Sequence, residues 1–267
     1  MNLSSKLLGV TCASVIALGV GSVNATDLYH ATGGGLKDGP YVPPPLWTGF
    51  YIGVDGGGSF GASENLRVRN NADGTEADIG QFFHDGGFGG GQIGYNWSGA
   101  GFGFGNQVVF GIETDIQGSD IGSSFDRNDL NYGFAPALFH ASQNIDFFGT
   151  VRGRLGYAFG NALVYATGGF AYANVNTKVG ITGTGFTNFL SSDQMETGWV
   201  VGGGVEYLFA PNWSAKVEYQ YIDLGSQTVS AVASDGVIDR MPFDNNFSTV
   251  RAGINYHLPV SYPAPLK

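Results

Sequence analysis

The sequence has few charged residues, a single cysteine and no long apolar run beyond its N-terminus. Charged residues make up 13% of the 267 residues, against about 25% in typical soluble domains. The cysteine, Cys12, lies within the N-terminal apolar stretch, so the rest of the chain offers neither disulfides nor thiolate metal ligands. After that stretch the sequence has no run of about eighteen apolar residues, the length that a membrane-spanning helix needs.

The N-terminus has the pattern of an export signal. Lys6 is its only charge, and an apolar stretch follows from Leu7 to Val20. Residues 23–25 (Val-Asn-Ala) supply the small residues that a signal peptidase reads. We therefore expect residues 1–25 to be a cleaved signal peptide and residues 26–46, rich in proline and glycine, to be a periplasmic leader.

Glycine and aromatic residues are abundant, and from Trp47 onward apolar and polar residues alternate. The chain has 45 glycines and 14% aromatic residues. In Thr249–Leu258 one face carries valine, alanine, isoleucine, tyrosine and leucine, and the other carries arginine, glycine, asparagine and histidine. Such alternation is typical of half-buried strands. It predicts eight of them: Trp47–Gly58, Gly87–Trp97, Asn106–Gly118, Ile145–Phe159, Ala162–Val175, Gly198–Phe209, Trp213–Asp223 and Thr249–Leu258.

The links between these strands alternate in length. Three are short, at 98–105, 160–161 and 210–212, and four are long and polar, near 59–86, 119–144, 176–197 and 224–248. Outer-membrane barrels have short periplasmic turns and long external loops. The fold prediction is therefore all-β: an eight-stranded antiparallel transmembrane β-barrel with short periplasmic turns and four long external loops. It places the barrel at 47–258 and a C-terminal tail at 259–267.

Aromatic residues near the predicted periplasmic ends of the strands indicate a membrane-interface girdle. Tyrosine and tryptophan favour that boundary because each joins an apolar ring to a polar tip. The alternative is the aromatic core of a soluble barrel, which would not cluster at one end. The predicted girdle consists of Phe50, Tyr51, Tyr95, Tyr157, Tyr207, Trp213 and Tyr256.

The opposite strand faces carry charges of both signs. The predicted lumen set is Glu113, Asp115, Asp146, Arg152, Arg154, Glu206, Lys216, Glu218 and Arg251. Isolated buried charge is costly, and an eight-stranded barrel is just wide enough for side chains to fill. We therefore expect an ion-pair network that plugs the lumen. The slight acidic excess leaves a small, weakly cation-preferring pore as the alternative.

Several stretches together resemble one known family. They are residues 47–53 (WTGFYIG), 89–97 (GGGQIGYNW), 109–115 (VFGIETD), 150–157 (TVRGRLGY), 217–225 (VEYQYIDLG) and 249–256 (TVRAGINY). From Trp47 to Leu258 the chain resembles the small Gram-negative outer-membrane surface-antigen family of immunogenic, porin-like β-barrels. That family is related to the opacity proteins and the outer-membrane protein A barrel.

The resemblance implies a barrel in the cell outer membrane that contributes to envelope integrity and is exposed at the surface. Some members are described as porin-like or haem-binding. It also implies contact with the barrel-assembly machinery during biogenesis. Members often end in an aromatic residue that this machinery recognises, whereas here the last strand ends at His257-Leu258 and a tail follows.

Three motifs suggest other chemistry. Gly89-x-Gly91-x-x-Gly94 matches a dinucleotide fingerprint, which needs a helix opening at the glycines, and here a strand continues. His140-x-Ser142 could serve a barrel-embedded hydrolase, which also needs a carboxylate to orient the histidine. His84 or His140 could ligate haem or a metal ion, and acidic residues of the first long link could bind divalent cations.

The sequence thus predicts a non-enzymatic barrel without a cofactor or metal site. Its role would be structural and surface-interacting, in envelope integrity and as a surface antigen; the alternatives are a small cation-preferring porin or a haem-binding surface receptor. Expected partners are outer-membrane lipid and lipopolysaccharide, and host or surface ligands that contact the loops. The net charge of −10 argues against nucleic acid.

Overall fold

A computed structural model describes most of the region predicted to form the barrel. The described residues are 46–61, 66–69, 76–80, 83–132, 135–183, 186–232 and 238–259. The predicted signal peptide lies outside the described residues. So do all of the predicted leader except Leu46 and all of the predicted tail except Pro259.

Ten strands account for most of the described residues. They are β1 (Gly49–Phe60), β2 (Leu66–Arg69), β3 (Glu76–Gly80), β4 (Gly86–Ser98), β5 (Val108–Tyr132), β6 (Ala135–Phe159), β7 (Ala162–Gly183), β8 (Phe186–Ala210), β9 (Trp213–Val232) and β10 (Ile238–His257). Eight of them pair antiparallel in the order β1-β4-β5-β6-β7-β8-β9-β10, and β10 pairs back to β1. The predicted eight-stranded antiparallel barrel is confirmed.

Short connections join the strands at one end, the short-turn end. Gly160-Asn161 joins β6 to β7, and Pro211-Asn212 joins β8 to β9. Residues 99–107, which include a 3₁₀ helix at Gly99–Phe102, join β4 to β5. Gly160 has a φ of 64°, a left-handed value that glycine adopts without steric cost. Within the described ranges, no helix has both the length and the apolar character needed to cross a membrane.

At the other end, the long-link end, the strands continue further than the alternation predicts. β5, β6 and β8 each contain 25 residues. The predicted long links at 119–144, 176–197 and 224–248 project from this end as expected, but they consist mainly of strand. The apolar–polar signal is lost there because both the outward and the inward faces carry polar side chains, such as the outward Asn176 and the inward Gln143.

The first long link contains a hairpin. β2 pairs antiparallel with β3, and Arg69 of β2 pairs with Arg240 of β10. The link between β1 and β4 therefore adds two short strands to the sheet, next to the part of β10 that extends beyond the end of β1.

Inward-facing glycines make room for bulky side chains in the lumen. A Cβ atom at Gly94 would overlap the Tyr51 ring, and one at Gly57 would lie 2.9 Å from Cζ of Phe88. Outward-facing Gly89 differs, because the nearest atom to its Cβ would be 3.7 Å away. The interior glycines are thus fixed by packing, since protein interiors have no spare volume for a methyl group.

We expect Gly94→Ala to lower the free energy of unfolding by about 1–3 kcal/mol, because the added methyl group displaces Tyr51. Gly89→Ala is the matched control, because Gly89 is on the same strand but faces outward. It should leave stability nearly unchanged. Urea unfolding of the refolded protein in lipid vesicles measures both. Equal stability of the two variants would contradict the packing argument.

Candidate functional site

Arg152 is the centre of the lumen network and is 1% exposed. Its guanidinium donates to Glu218 at 2.6 Å and to Asp115 at 2.8 Å, and it also donates to Glu113. Glu113 and Asp115 are on β5 and Glu218 is on β9, and these strands lie on opposite sides of the ring. Arg152 therefore bridges the lumen.

Lys216 and Tyr51 complete the surroundings of Glu113. The Lys216 ammonium lies 3.3 Å from Glu113 and 3.8 Å from Glu218, and the Tyr51 hydroxyl donates to Glu113 at 2.6 Å. Tyr165 donates to Glu218 at 2.7 Å. Each of these carboxylates is shared by several donors, as buried charge requires.

Arg154 forms a second centre nearer the short-turn end. It donates to Glu206 of β8, and its guanidinium lies 3.6 Å from the centroid of the Tyr165 ring. Glu206 also accepts from Ser214 at 2.5 Å and from Asn255 at 2.7 Å. This carboxylate is 0% exposed and fully surrounded by donors.

Arg251 connects the network to Asp55. Its Nη1 lies 3.4 Å from Asp115 and 3.7 Å from Asp55, and its Nη2 donates to Gln220 at 2.5 Å. Neither Asp55 oxygen has a hydrogen-bond partner among the described residues. Asp55 is therefore a fifth lumen carboxylate, weakly paired.

The structure places eight of the nine predicted lumen residues inside the barrel, and Asp146 is the exception. Its side chain is exposed and accepts a hydrogen bond from Asn176 at 2.8 Å. The pairing of β6 with β7 shifts register between Ile145 and Phe147. The extra residue of this bulge reverses the facing, so Ile145 and Phe148 both point inward and the assignment of Asp146 to the lumen was wrong.

Two apolar layers lie on either side of the charged network. The layer toward the long-link end, here called the septum, consists of Phe88, Ile121, Ile145, Phe148, Ala171, Ala173, Val175, Val200, Ile222, Leu224 and Phe247. Phe148 of β6 and Phe247 of β10 come from opposite walls, and their ring centroids are 5.7 Å apart. The septum therefore crosses the whole lumen.

The layer at the short-turn end, here called the plug, closes the other side. It consists of Trp47, Val109, Ala158, Leu163, Tyr165 and Leu208. Trp47 is 2% exposed and donates through its indole to the Gly160 carbonyl at 3.1 Å. Trp47, two residues before β1, is thus folded into the barrel end.

Six of the seven predicted girdle residues have outward-facing or partly exposed side chains at the short-turn end. Phe50, Tyr157, Tyr207 and Trp213 are exposed, and Tyr95 and Tyr256 are partly exposed. The assignment of Tyr51 was wrong, because its side chain is 0% exposed and points into the lumen. Phe50 and Tyr51 are consecutive in β1, and successive strand residues face opposite sides.

A second outward aromatic girdle lies further along the strands. It consists of Phe60, Phe170, Tyr172, Trp199 and Tyr221, and the rings of Trp199 and Tyr221 are 5.5 Å apart. On β8 the two girdles are separated by the eight residue steps from Tyr207 to Trp199, roughly 26 Å along the strand. An apolar band about 25 Å tall between two girdles is typical of outer-membrane barrels.

The comparison with known families agrees with this geometry. Residues 13–257 match the outer membrane protein beta-barrel domain family. The chain belongs to this family. It therefore lies in the outer membrane of a Gram-negative bacterium, with the short-turn end in the periplasm and the long-link end outside the cell.

Curated relatives within the family are similar over most of their length. The chain is 34% identical over 259 residues to the 31 kDa outer-membrane immunogenic protein of Brucella melitensis, covering 92% of this chain and 98% of that protein. It is 31% identical over 195 residues to the 22 kDa outer membrane protein of Rhizobium leguminosarum bv. viciae, covering 72% and 71%.

Solved outer-membrane barrels are more distant. OprG from Pseudomonas aeruginosa is 13% identical, with a TM-score of 0.45 and coverage of 81% of this chain and 100% of that chain. Ail of Yersinia pestis, in complex with the heparin analogue sucrose octasulfate, is 13% identical, with a TM-score of 0.32 and coverage of 78% and 99%. The eight strands of the ring follow from the strand pairing of this chain and not from these distant structures.

Two histidine clusters have part of the composition of a hydrolase. His140 lies outside the lumen, with its Nδ1 2.6 Å from Asp126; Ser142 is on the same strand two residues on. Inside the barrel, Nε2 of His257 lies 3.0 Å from Ser214, but Ser214 donates its proton to Glu206 and is 0% exposed. A catalytic triad needs the carboxylate on the ring nitrogen that faces away from the serine, and Glu206 lies beside Nε2 instead.

No group of three or more potential metal ligands of the His, Cys, Asp or Glu type occurs within the described part of the chain. The Gly89–Gly94 motif lies within β4 and opens no helix. The acidic side chains predicted as a divalent-cation site in the first long link lie outside the described side chains, except for Asp85, which is exposed.

Sequence reasoning missed several lumen residues, and Asp55 is the most important. A usable signal was present, because apolar Phe50, Ile52 and Val54 alternate with Tyr51, Gly53 and Asp55 in β1. Reading that alternation strictly would have placed both Tyr51 and Asp55 inside. Gln92, Gln220 and Asn255 were missed because neutral amides give no charge pattern.

We expect Arg152→Ala to lower the free energy of unfolding by about 3–5 kcal/mol, because it leaves several buried carboxylates without their shared donor. Asp146→Ala is the control, and it should change stability by less than about 0.5 kcal/mol since its side chain is exposed. Urea unfolding in lipid vesicles compares them. A larger loss for Asp146→Ala would contradict the assignment.

Proposed function

We propose that this barrel is a closed membrane anchor that presents an extracellular strand extension at the cell surface, where it acts as a surface antigen and contributes to envelope integrity. The observation that carries this proposal is the closure of the lumen by three successive tiers. These are the plug, the charged network and the septum. A barrel closed in this way offers its external part, rather than a channel, for interaction.

The three tiers oppose the passage of solutes for two physical reasons. The side chains of the septum are apolar, and the polar groups of the plug, the Trp47 indole and the Tyr165 hydroxyl, already donate to Gly160 and Glu218. An ion would therefore have to shed water there with little compensation. Between them, Arg152 and its carboxylates bind each other across the lumen at 2.6–2.8 Å. A solute would have to separate these pairs, whose attraction is strong where water is excluded.

The strands extend far beyond the second aromatic girdle, here called the outer girdle, and this external part is the extension. The β6 residues beyond Phe147, from Ala135 to Asp146, measure roughly 40 Å along the strand at about 3.3 Å per residue. Their described outward side chains are mostly polar, although Leu138 is exposed among them. His140 pairs with Asp126, and Asn176 donates to Asp146. Such a face suits water and the sugar region of the outer leaflet, and not hydrocarbon.

The relatives support a role at the surface. The Brucella melitensis relative is named an immunogenic protein, and we extend that property to this chain as part of the proposal. Partners would be lipopolysaccharide around the barrel, the assembly machinery during biogenesis, and host or surface ligands at the external ends of the strands. We propose no enzymatic activity: beside His257 the carboxylate lies on the ring nitrogen that a triad turns toward its serine, and the described contact of His140 is its pair with Asp126.

A small cation-preferring pore is the second candidate, and Asp55 favours it. Among the described side chains between the septum and the plug there are five carboxylates (Asp55, Glu113, Asp115, Glu206 and Glu218) and four cationic groups (Arg152, Arg154, Lys216 and Arg251). The surplus acid would favour cations over anions if the tiers opened. A haem-binding receptor has less support, because His84 is buried and His140 is paired with Asp126.

We expect replacement of residues 122–144 by a short Gly-Ser turn to lower clearly the binding of antibodies, raised against the folded protein, to intact cells, because it removes the β5–β6 part of the extension. The replacement joins β5 to β6 at the paired positions Ile121 and Ile145, so the membrane part keeps its strands. Flow cytometry measures antibody binding, and uptake of a hydrophobic dye measures the envelope barrier.

The barrier should stay intact in this variant and fail in cells that lack the protein. Undiminished antibody binding would contradict surface presentation by the extension. A barrier unaffected by complete loss of the protein would contradict the role in envelope integrity.

A further inference from the structure

A chain of hydrogen bonds crosses the barrel just outside the septum. Nε2 of His84 lies 3.1 Å from Oε1 of Gln143, and Gln143 donates to Asn245 at 3.1 Å. Asn245 in turn donates to Glu196 at 2.6 Å. All four side chains are buried, with exposures of 2–6%, although they lie beyond the outer girdle and outside the membrane.

The chain stands where backbone closure of the barrel ends. The pairing of β1 with β10 stops at Phe60 and Ser248, and that of β4 with β5 stops at Gly86 and Ile121. Further out, the described backbone pairing on that side of β10 is the one between Arg240 and Arg69. Beyond this point, hydrogen bonds between side chains connect the walls of the barrel, whereas backbone hydrogen bonds between strands connect them within the membrane.

Gln143 and Asn245 join opposite walls. Gln143 is on β6 and Asn245 is on β10, and four positions separate these strands in the eight-stranded ring. Glu196 is on β8, midway between them along one side. The bond between the two amides thus spans the mouth of the barrel, as the Phe148–Phe247 contact does one layer below.

The direction of donation fixes the tautomer of His84. Gln143 donates through Nε2 to both Asn245 and Thr177, so its Oε1 faces His84 and accepts. Nε2 of His84 must then carry the proton, and Nδ1 of the neutral ring carries none. Nδ1 is buried and has no hydrogen-bond partner among the described residues.

A second proton would have to bind at Nδ1, and among the described residues the resulting N–H group would have no acceptor. The ring contacts Gln143 of β6 through Nε2 and stacks on Phe247 of β10, with ring centroids 6.2 Å apart. Ser59 of β1 donates to the backbone carbonyl of the same histidine. The carboxylates near it are the exposed neighbour Asp85 and, at the far end of the chain, Glu196. His140 and Asp146 of β6 point outward. Among the described side chains Asp85 is therefore the carboxylate that offsets the charge, and its effect on the pKa of His84 is smaller than that of burial.

We propose that the chain from His84 to Glu196 is an acid-sensitive tie, which holds β6 and β10 together at the external mouth and is released when His84 takes a second proton. This goes beyond the proposed function and does not depend on whether the lumen is closed.

The sign follows from burial. Burial lowers the pKa of His84 below its ordinary value of 6.5 while the tie is made. The released state binds the proton more readily, so the tie is fully stable above pH 6.5 and loses stability as the pH falls below it.

Glu196 acts in the opposite sense. Burial raises the pKa of Glu196 above its ordinary value of 4.5, so its protonation favours the intact tie as the pH falls. We therefore expect a larger acid response in Glu196→Gln than in the parent protein.

Distance measurements across the mouth test the tie. Asn144 and Asn246 adjoin the two amides of the tie and point outward, and nitroxide labels on Asn144→Cys and Asn246→Cys, in a Cys12→Ser background, report the separation of β6 and β10. In lipid vesicles we expect one narrow distance at about pH 7.5 and a second, longer population at about pH 5, since these values bracket histidine titration.

His84→Gln keeps a donor toward Gln143 but cannot titrate, so it should give the narrow distance at both pH values. His140→Gln, the matched control at the exposed histidine of β6, should respond like the parent. An unchanged parent distribution, or an acid response retained in His84→Gln, would overturn the proposal. If His84→Gln does not fold, an NMR titration of the parent decides: a His84 pKa at or above 6.5 would overturn the proposal equally.

Discussion

Charge buried inside a narrow barrel must be paired, and this constraint organises the rest of the lumen. Arg152 reaches carboxylates on β5 and β9 because these strands face each other across the ring. The side chains of the network fill the middle of the lumen, and the septum and plug cover it on either side. The proposed closure of the lumen to solutes, and with it the proposed role as a surface-presenting anchor, depends on these pairs remaining intact.

Glycine provides the space that the network needs. Tyr51 donates to Glu113 only because Gly94 leaves room for its ring, and Phe88 reaches the septum over Gly57. These inward glycines account for part of the high glycine content of the chain, since a barrel with fewer of them would have room for fewer large side chains in its lumen. In the part of the barrel outside the membrane, amide side chains such as Gln143 and Asn245 fill the interior in place of charged groups and aromatic rings.

The sequence predicted the membrane-embedded strands because one side of each contacts lipid and must be apolar. It did not predict their external continuation, where Asn176 and His140 face water and the apolar signal vanishes. Asp146 was misplaced because a bulge of one residue leaves no trace in the alternation. Tyr51 was misplaced because its aromatic character was weighed above its position next to Phe50. Hydrogen-bonded contacts between distant strands, such as Gln143 with Asn245, have no local signature at all.

Single-channel recording of the refolded protein in a planar lipid bilayer tests the central claim, that paired charges and apolar tiers close the lumen. The account predicts a silent bilayer, with the heat-dependent gel mobility of the same preparation showing that the barrel is folded. Steady openings whose conductance shifts in Glu113→Gln would contradict it, because ions would then pass through the very site that the network occupies.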